Sequence, residues 1–160
     1  MDIRYHMLID ALAGTPRDLR RLLRPVSQYE AVLRITDGAC ILDVLRSFAA
    51  YESAARTQFK HIVDADHPVL SEALAPATFA NADADGYITT FTTERMQTTD
   101  WLLTLSQAQW LRTATHERHG TVRLRTLVEL HIGRDNEQLA RIVDMRESLR
   151  KRPAANSSSE

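Results

Sequence analysis

From Thr121 to Arg150 the chain sets apolar residues at three-and-four spacing: Leu124, Leu127 and Val128, then Leu139, Ile142, Met145 and Leu149. That is the stripe of one long helix packed on a bundle. Midway along, the stripe carries His131, Asp135 and Gln138 instead, with Arg134 one residue to the side. Positions i, i+4 and i+7 share a helix face. Polar groups on a buried face cost free energy unless they are paired, so the interruption predicts a polar network or a pocket.

The same interruption recurs twice upstream. Spacing predicts a helix over about 39–63, with Ile41, Val44, Leu45, Phe48, Ala55, Phe59 and Ile62 on one face and Glu52 among them. Another is predicted over about 86–105, where Tyr87, Phe91, Thr98, Leu102 and Leu105 share a face with Arg95. Near the N-terminus, 3–13 form an amphipathic segment with Ile3, Met7, Leu8 and Leu12 on one side, which Gly14 is expected to loosen. Thr15, Pro16 and Asp18 then read as N-cap, first-turn proline and a capping-box-like pattern restarting a helix, which ends at Arg24 before Pro25. Shorter helical turns are expected at 27–33 and 106–110, a loop at 36–38, and a turn at 116–120 leading to Thr121 as the last helix's N-cap.

Between the second and third long helices, 64–86 contains Pro68, Pro76 and the polar run NADADG. It reads as a long connection with one short helix near 70–74. In an up-down-down-up bundle such a crossover is expected to join helices that do not lie side by side. The ending RPAANSSSE lacks apolar anchors and is expected to be disordered. The chain is thus one all-α domain over 1–151, a four-helix bundle with short accessory helices, followed by a tail at 152–160.

Composition narrows the functional classes. Hydrophobic content of 44%, charged content of 26% and a formal net charge of −1 are those of an ordinary globular domain. A nucleic-acid partner would call for a basic excess, which is absent. There is no apolar run of the roughly 18 residues a membrane span needs, and Asp2, His6 and Asp10 break up the N-terminus where a signal peptide would be apolar. With Cys40 as the only cysteine, an internal disulfide is excluded, and a cytoplasmic location is expected.

HIGRDNEQLARI, in the last helix, resembles the closing motif H-x-x-H-D-x-x-H-L-x-Q-I of the DinB/YfiT-like superfamily of four-helix bundles. LAGTPRDLRRLL resembles that family's opening T-P helix, and CILDVLRSFAAYESAAR its second-helix pattern. FTTERMQTTDWLLTLSQAQWLRTATHERHGTVRLRTLV resembles the run into the last helix. The resemblance implies an up-down-down-up bundle, often dimeric, whose divalent metal is usually held by three histidines. All three of those positions differ here: they fall on Ser47, Arg134 and Gln138. Glu52, Arg95 and Asp135 match family positions that are not metal ligands.

Ligand chemistry then argues against a conventional metal. A transition metal wants neutral imidazoles or carboxylates at about 2.0–2.2 Å. Arg134 cannot deprotonate and offers only donors, and Ser47 and Gln138 are weak neutral ligands. Arg134 could instead stand in for the cation and neutralise Glu52 and Asp135. Ser47, Glu52, Arg95, His131, Arg134, Asp135 and Gln138 are therefore the candidates for a metal-free polar pocket, with Glu52–Arg95 as an inter-helix ion pair and Asp135 a second partner. No cofactor is expected.

The other reactive side chains read as bystanders. His116 and His119 belong to a turn, and His61 and His67 are expected to be solvated. Cys40 is the poor N-cap of the second long helix, whose dipole would lower a thiol pKa. Trp101 and Trp110 are packing residues.

The expected function is a small-molecule-binding or interaction module that has lost the family's metal, its partner a small polar or anionic ligand or a second copy of the chain. Two alternatives are a metal-dependent thiol transferase or hydrolase with an atypical site, and a structural or stress-related homodimer without ligand.

Overall fold

The computed structural model describes residues 2–72 and 81–152. Four long helices, α1 (Ile3–Leu23), α3 (Ile41–Asp64), α4 (Ala84–Leu103) and α6 (Leu124–Arg150), carry the fold. Two short ones, α2 (Gln28–Val32) and α5 (Gln107–Trp110), accompany them. Both short helices start on true capping boxes, Ser27 with Glu30 and Ser106 with Gln109. No described helix is long and apolar enough to cross a membrane.

Helix directions follow from which residues meet. Phe48 packs on Phe91 and Lys60 sits over the Trp101 ring, so α3 and α4 run parallel. Ser47 meets Arg134 while Glu52 meets His131, which sets α3 antiparallel to α6. Thr15 meets Asp135, and Leu19 and Leu23 join the cluster of Ile142 and Met145, so α1 and α6 are parallel. The order is up, down, down, up. Here α4 and α6 each touch both α1 and α3. The crossover from α3 to α4 therefore joins adjacent parallel helices, not separated ones as the sequence suggested. Parallel neighbours need a connection that returns along the bundle, which is what its length serves.

The N-terminal helix does not break and restart. α1 runs through Gly14 and Pro16, and its N-cap is Asp2, whose carboxylate accepts the Arg4 N–H at 2.9 Å. Thr15 is buried mid-helix, and Asp18 pairs with Arg21 on the surface. Pro16 has no N–H to donate, so the Leu12 carbonyl one turn back loses its helical partner.

A small sheet covers one end of the bundle. β1 (Val69–Leu70) pairs parallel with β2 (Thr113–His116), which pairs antiparallel with β3 (Gly120–Arg123). The register sets Val69 opposite Thr115, Ala114 opposite Val122, and Thr115 opposite Thr121. Thr121 is thus a strand residue, and α6 starts three residues later than the predicted cap. Gly120, at φ 68°, closes the hairpin in a conformation that favours glycine. Leu70 is a strand residue where a short helix was expected, and 73–80 lie outside the described residues. So do 153–160 of the tail.

Each long helix is apolar above and below one level. Leu12 and Leu19 flank Thr15, Ala49 and Ala55 flank Glu52, Phe91 and Leu102 flank Arg95, and Val128 and Ile142 flank His131 and Asp135. The core therefore consists of two apolar clusters with a polar layer between them. In the sheet-side cluster Trp110 is fully buried, its ring stacked on Tyr5 at 4.5 Å between centroids. Trp110→Ala should destabilise the protein by about 3–5 kcal/mol, read from denaturant unfolding. A loss under about 1 kcal/mol would mean that the site collapses without a cavity.

Candidate functional site

Arg95 is the centre of the polar layer, with 1% of its surface exposed. One guanidinium nitrogen, Nη1, donates to Asp135 Oδ2 at 2.7 Å and to the Leu12 carbonyl at 2.9 Å. The other, Nη2, donates to Glu52 Oε2 at 2.8 Å and to Asp135 Oδ1 at 3.2 Å. Asp135 also accepts the Thr15 hydroxyl at 3.0 Å. The carbonyl that Pro16 frees is thus the one Arg95 takes, and the preceding threonine serves the same carboxylate. All four long helices meet in this network.

His131 completes it. Its Nε2 lies 2.8 Å from Glu52 Oε2. An ionised carboxylate only accepts, so this nitrogen carries the hydrogen. The 3.2 Å approach of Arg95 Nη2 to the same nitrogen then sets two donors side by side and is no bond. Burial alone would push the Glu52 pKa up; the His131 bond and the Arg95 charge outweigh it and hold the carboxyl well below the usual range. For Arg95 burial pulls the pKa down, and the two carboxylates reverse that. Glu52 Oε1, Arg95 Nε and His131 Nδ1 are buried and have no protein partner.

Arg134 stands apart from this layer. Its Nη2 donates to the Ser47 hydroxyl at 2.8 Å, and its guanidinium carbon lies 3.6 Å from the Tyr51 ring centroid. The expected neutralisation of Glu52 and Asp135 by Arg134 is made by Arg95, which bonds both. Arg134 contributes only through space, and the two carboxylates in turn favour its charge. Burial is the larger effect on Arg134 and lowers its pKa. Gln138, half-buried one turn further along α6, bonds to neither Ser47 nor Arg134.

Of the seven predicted site residues, Glu52, Arg95, His131 and Asp135 form one network, and Ser47 and Arg134 a second. Gln138 joins neither. Thr15, the Leu12 carbonyl and Tyr51 were not among them. The signal for Tyr51 was its place one turn after Ser47; for Thr15 and Leu12 it was a proline inside an otherwise continuous apolar pattern.

The three positions where the resembled family keeps its histidines do not fit a metal. Arg134 directs donors and a fixed charge at Ser47, and the serine oxygen is already engaged. Among the described residues, no three His, Cys, Asp or Glu side chains are arranged to hold an ion.

The remaining candidates sort by environment. His116 is buried, and its Nδ1 accepts the Arg118 N–H at 3.2 Å; His119, its ring neighbour, is exposed. His61 is exposed as expected. His67 is exposed too, but both ring nitrogens meet threonine hydroxyls, of Thr113 at 2.9 Å and Thr115 at 3.0 Å. Cys40 caps α3 but is buried, and burial raises its thiol pKa, the reverse of the dipole expectation.

No family model matches the chain, and no curated protein matches it. Among solved structures it is similar to YfiT from Bacillus subtilis, described as a probable metal-dependent hydrolase with an unusual four-helix bundle topology. The TM-score is 0.76 at 16% sequence identity, over 92% of this chain and 88% of that one. At that identity the likeness establishes the all-α bundle fold.

Removing one member of a buried ion pair strands the other, at a cost of about 3–5 kcal/mol. Glu52→Gln and Arg95→Met should each destabilise by about that much, and together by less than the sum. Strictly additive losses in denaturant unfolding would contradict the coupling. The Glu52 pKa is lowered in the fold, so its contribution is full above the unfolded pKa of about 4.3 and is lost as the pH falls below it. The stability gap between wild type and Glu52→Gln should therefore narrow below about pH 4. A gap that stays constant down to about pH 2 would contradict it.

Proposed function

We propose that this protein is a metal-independent binding bundle that takes a small anionic ligand where α3 and α6 meet at Ser47 and Arg134, with Arg134 receiving the negative charge. The observation that carries this reading is the state of Arg134. Its guanidinium is half-buried, rests on the Tyr51 ring, and bonds a neutral hydroxyl rather than a carboxylate. Arginine keeps its charge in such a place, and burial makes that charge costly until an anion offsets it. Its planar fork has donors to spare for a carboxylate or phosphate, which it grips better than a point charge would. The carboxylates of the polar layer do not compete for direct contact, because Arg95 already holds both.

A metal-dependent thiol transferase or hydrolase would need ligands that Ser47, Arg134 and Gln138 do not supply. The polar layer supports the binding reading by fixing α6 against α3, so that Arg134 and Ser47 project from rigid elements.

The test is an NMR titration of the protein with acetate and with inorganic phosphate at constant ionic strength. Saturable shifts are expected at the Ser47 amide and the Arg134 side-chain N–H groups. Arg134→Met should weaken binding by roughly tenfold or more, the worth of a charge-assisted hydrogen bond. Shifts that never saturate, or an Arg134→Met variant that binds as wild type does, would overturn the proposal.

A further inference from the structure

A small cavity lies at the sheet end of the bundle, between α3, α6 and the β2–β3 hairpin. It measures about 60 Å³, with Ala55, Phe59 and Leu127 as apolar walls. One water needs about 10–15 Å³ of such space, so roughly four heavy atoms fit. The exposed residues of the lining, His119 and Leu130, mark its mouth.

His116 brings a donor to this space. The residue is 4% exposed, and its Nδ1 accepts the Arg118 N–H at 3.2 Å. A nitrogen that accepts carries no hydrogen, so the ring is neutral and its hydrogen sits on Nε2. Nε2 has no partner among the described residues. Unlike His131 Nδ1 and Glu72 Oε1, which have almost no accessible surface, it is open to the cavity that its ring lines. Buried N–H groups nearly always find an acceptor, and one that opens on a cavity marks a place for an acceptor from outside.

Gln58 supplies the complement from α3. Its Nε2 donates to the Ser71 carbonyl, which leaves Oε1 as an acceptor without a partner among the described residues. The charge around the space disfavours an anion. Glu72 is the acid of the lining and pairs with Arg118 at 2.9 Å, and no lysine or arginine lines the cavity. We propose that this cavity binds the neutral polar end of a small molecule, a hydroxyl or a primary amide. Its oxygen accepts from His116 Nε2, and its hydrogen goes to Gln58 Oε1. Neither Ser47 nor Arg134 lines the cavity, so this site is independent of the anion reading.

The experiment uses probes of one size: acetamide, propan-2-ol, acetone and acetate. Acetone keeps the acceptor without the donor, and acetate exchanges the donor for a charge. Affinities come from NMR titration of the full chain, and the His116 ring nitrogens are followed in long-range proton–nitrogen spectra. The free protein should show the hydrogen on Nε2. Acetamide or propan-2-ol should bind saturably, with a Kd near the millimolar range, and move the Nε2 signal. Acetone should bind about three- to tenfold more weakly, the worth of one hydrogen bond. Acetate should leave Nε2 in place; bound at Arg134 it would move that residue's N–H groups instead. His116→Phe removes the donor and should weaken acetamide about three- to tenfold. Because it also breaks the Arg118 bond and would loosen the hairpin, Gln58→Met provides the second variant, and it should erase the preference for acetamide over acetone. A hydrogen on Nδ1 in the free protein would overturn the proposal. So would shifts that never saturate with Nε2 unmoved, which mean a cavity that holds water alone, or acetone binding as tightly as both donors.

Discussion

One guanidinium between two carboxylates organises this fold. Arg95 reaches from α4 to Glu52 on α3, to Asp135 on α6 and to the Leu12 carbonyl on α1, so a single side chain bonds the other three long helices. Buried ion pairs are poor sources of net stability, because desolvation offsets most of the attraction. What they do well is penalise alternatives. Sliding any one helix by a turn would carry an apolar residue into the polar layer and leave a charge without a partner. The two apolar clusters supply the driving force for collapse, and the layer between them selects the register in which the helices meet. The proline of α1 belongs to the same device, since a residue with an N–H at position 16 would contest the carbonyl that Arg95 uses.

That fixed register has a consequence on the outer side of the layer. Ser47 and Arg134 lie on α3 and α6 about one turn away from Glu52 and His131, so the network that aligns the core also aligns this pair. Arg134 places a fixed positive charge there. Arg134 and Arg95 together match the two carboxylates in number, yet only Arg95 touches them. The division of labour leaves one cation satisfied within the core and one half-buried outside it with a hydroxyl and an aromatic ring for company. His131 links the two levels, bound inward to Glu52 and stacked near the Tyr51 ring.

The long helices were legible because their apolar stripes run for many turns, and Glu52, Arg95, His131 and Asp135 stood out as polar residues on those stripes. Elements governed by tertiary context were not. Thr15-Pro16 obeys the local rule for a helix start, but its threonine is buried against Asp135, and burial outweighed the rule. The strands around Thr115 and Thr121 are four residues each, too short for a period of two to show above a turn signal. The partner of Arg134 was also beyond reach: charge alone pointed to the carboxylates, whereas Arg95, on a different helix, had already claimed them. Helix adjacency went the same way, because spacing gives the faces of helices and not their order around the bundle.

We propose that the Arg134 guanidinium stands where the family that this chain resembles holds a divalent cation. Melting of wild type and of a variant combining Ser47→His, Arg134→His and Gln138→His, with and without zinc or nickel, tests it most directly. Positions 134 and 138 are one helical turn apart on α6, and Ser47 on α3 meets Arg134, so three imidazoles there can share one ion. Metal is expected to leave the wild-type melting temperature unchanged and to raise that of the triple variant. A folded triple variant that ignores the metal, or a wild type that is stabilised by it, would contradict the account.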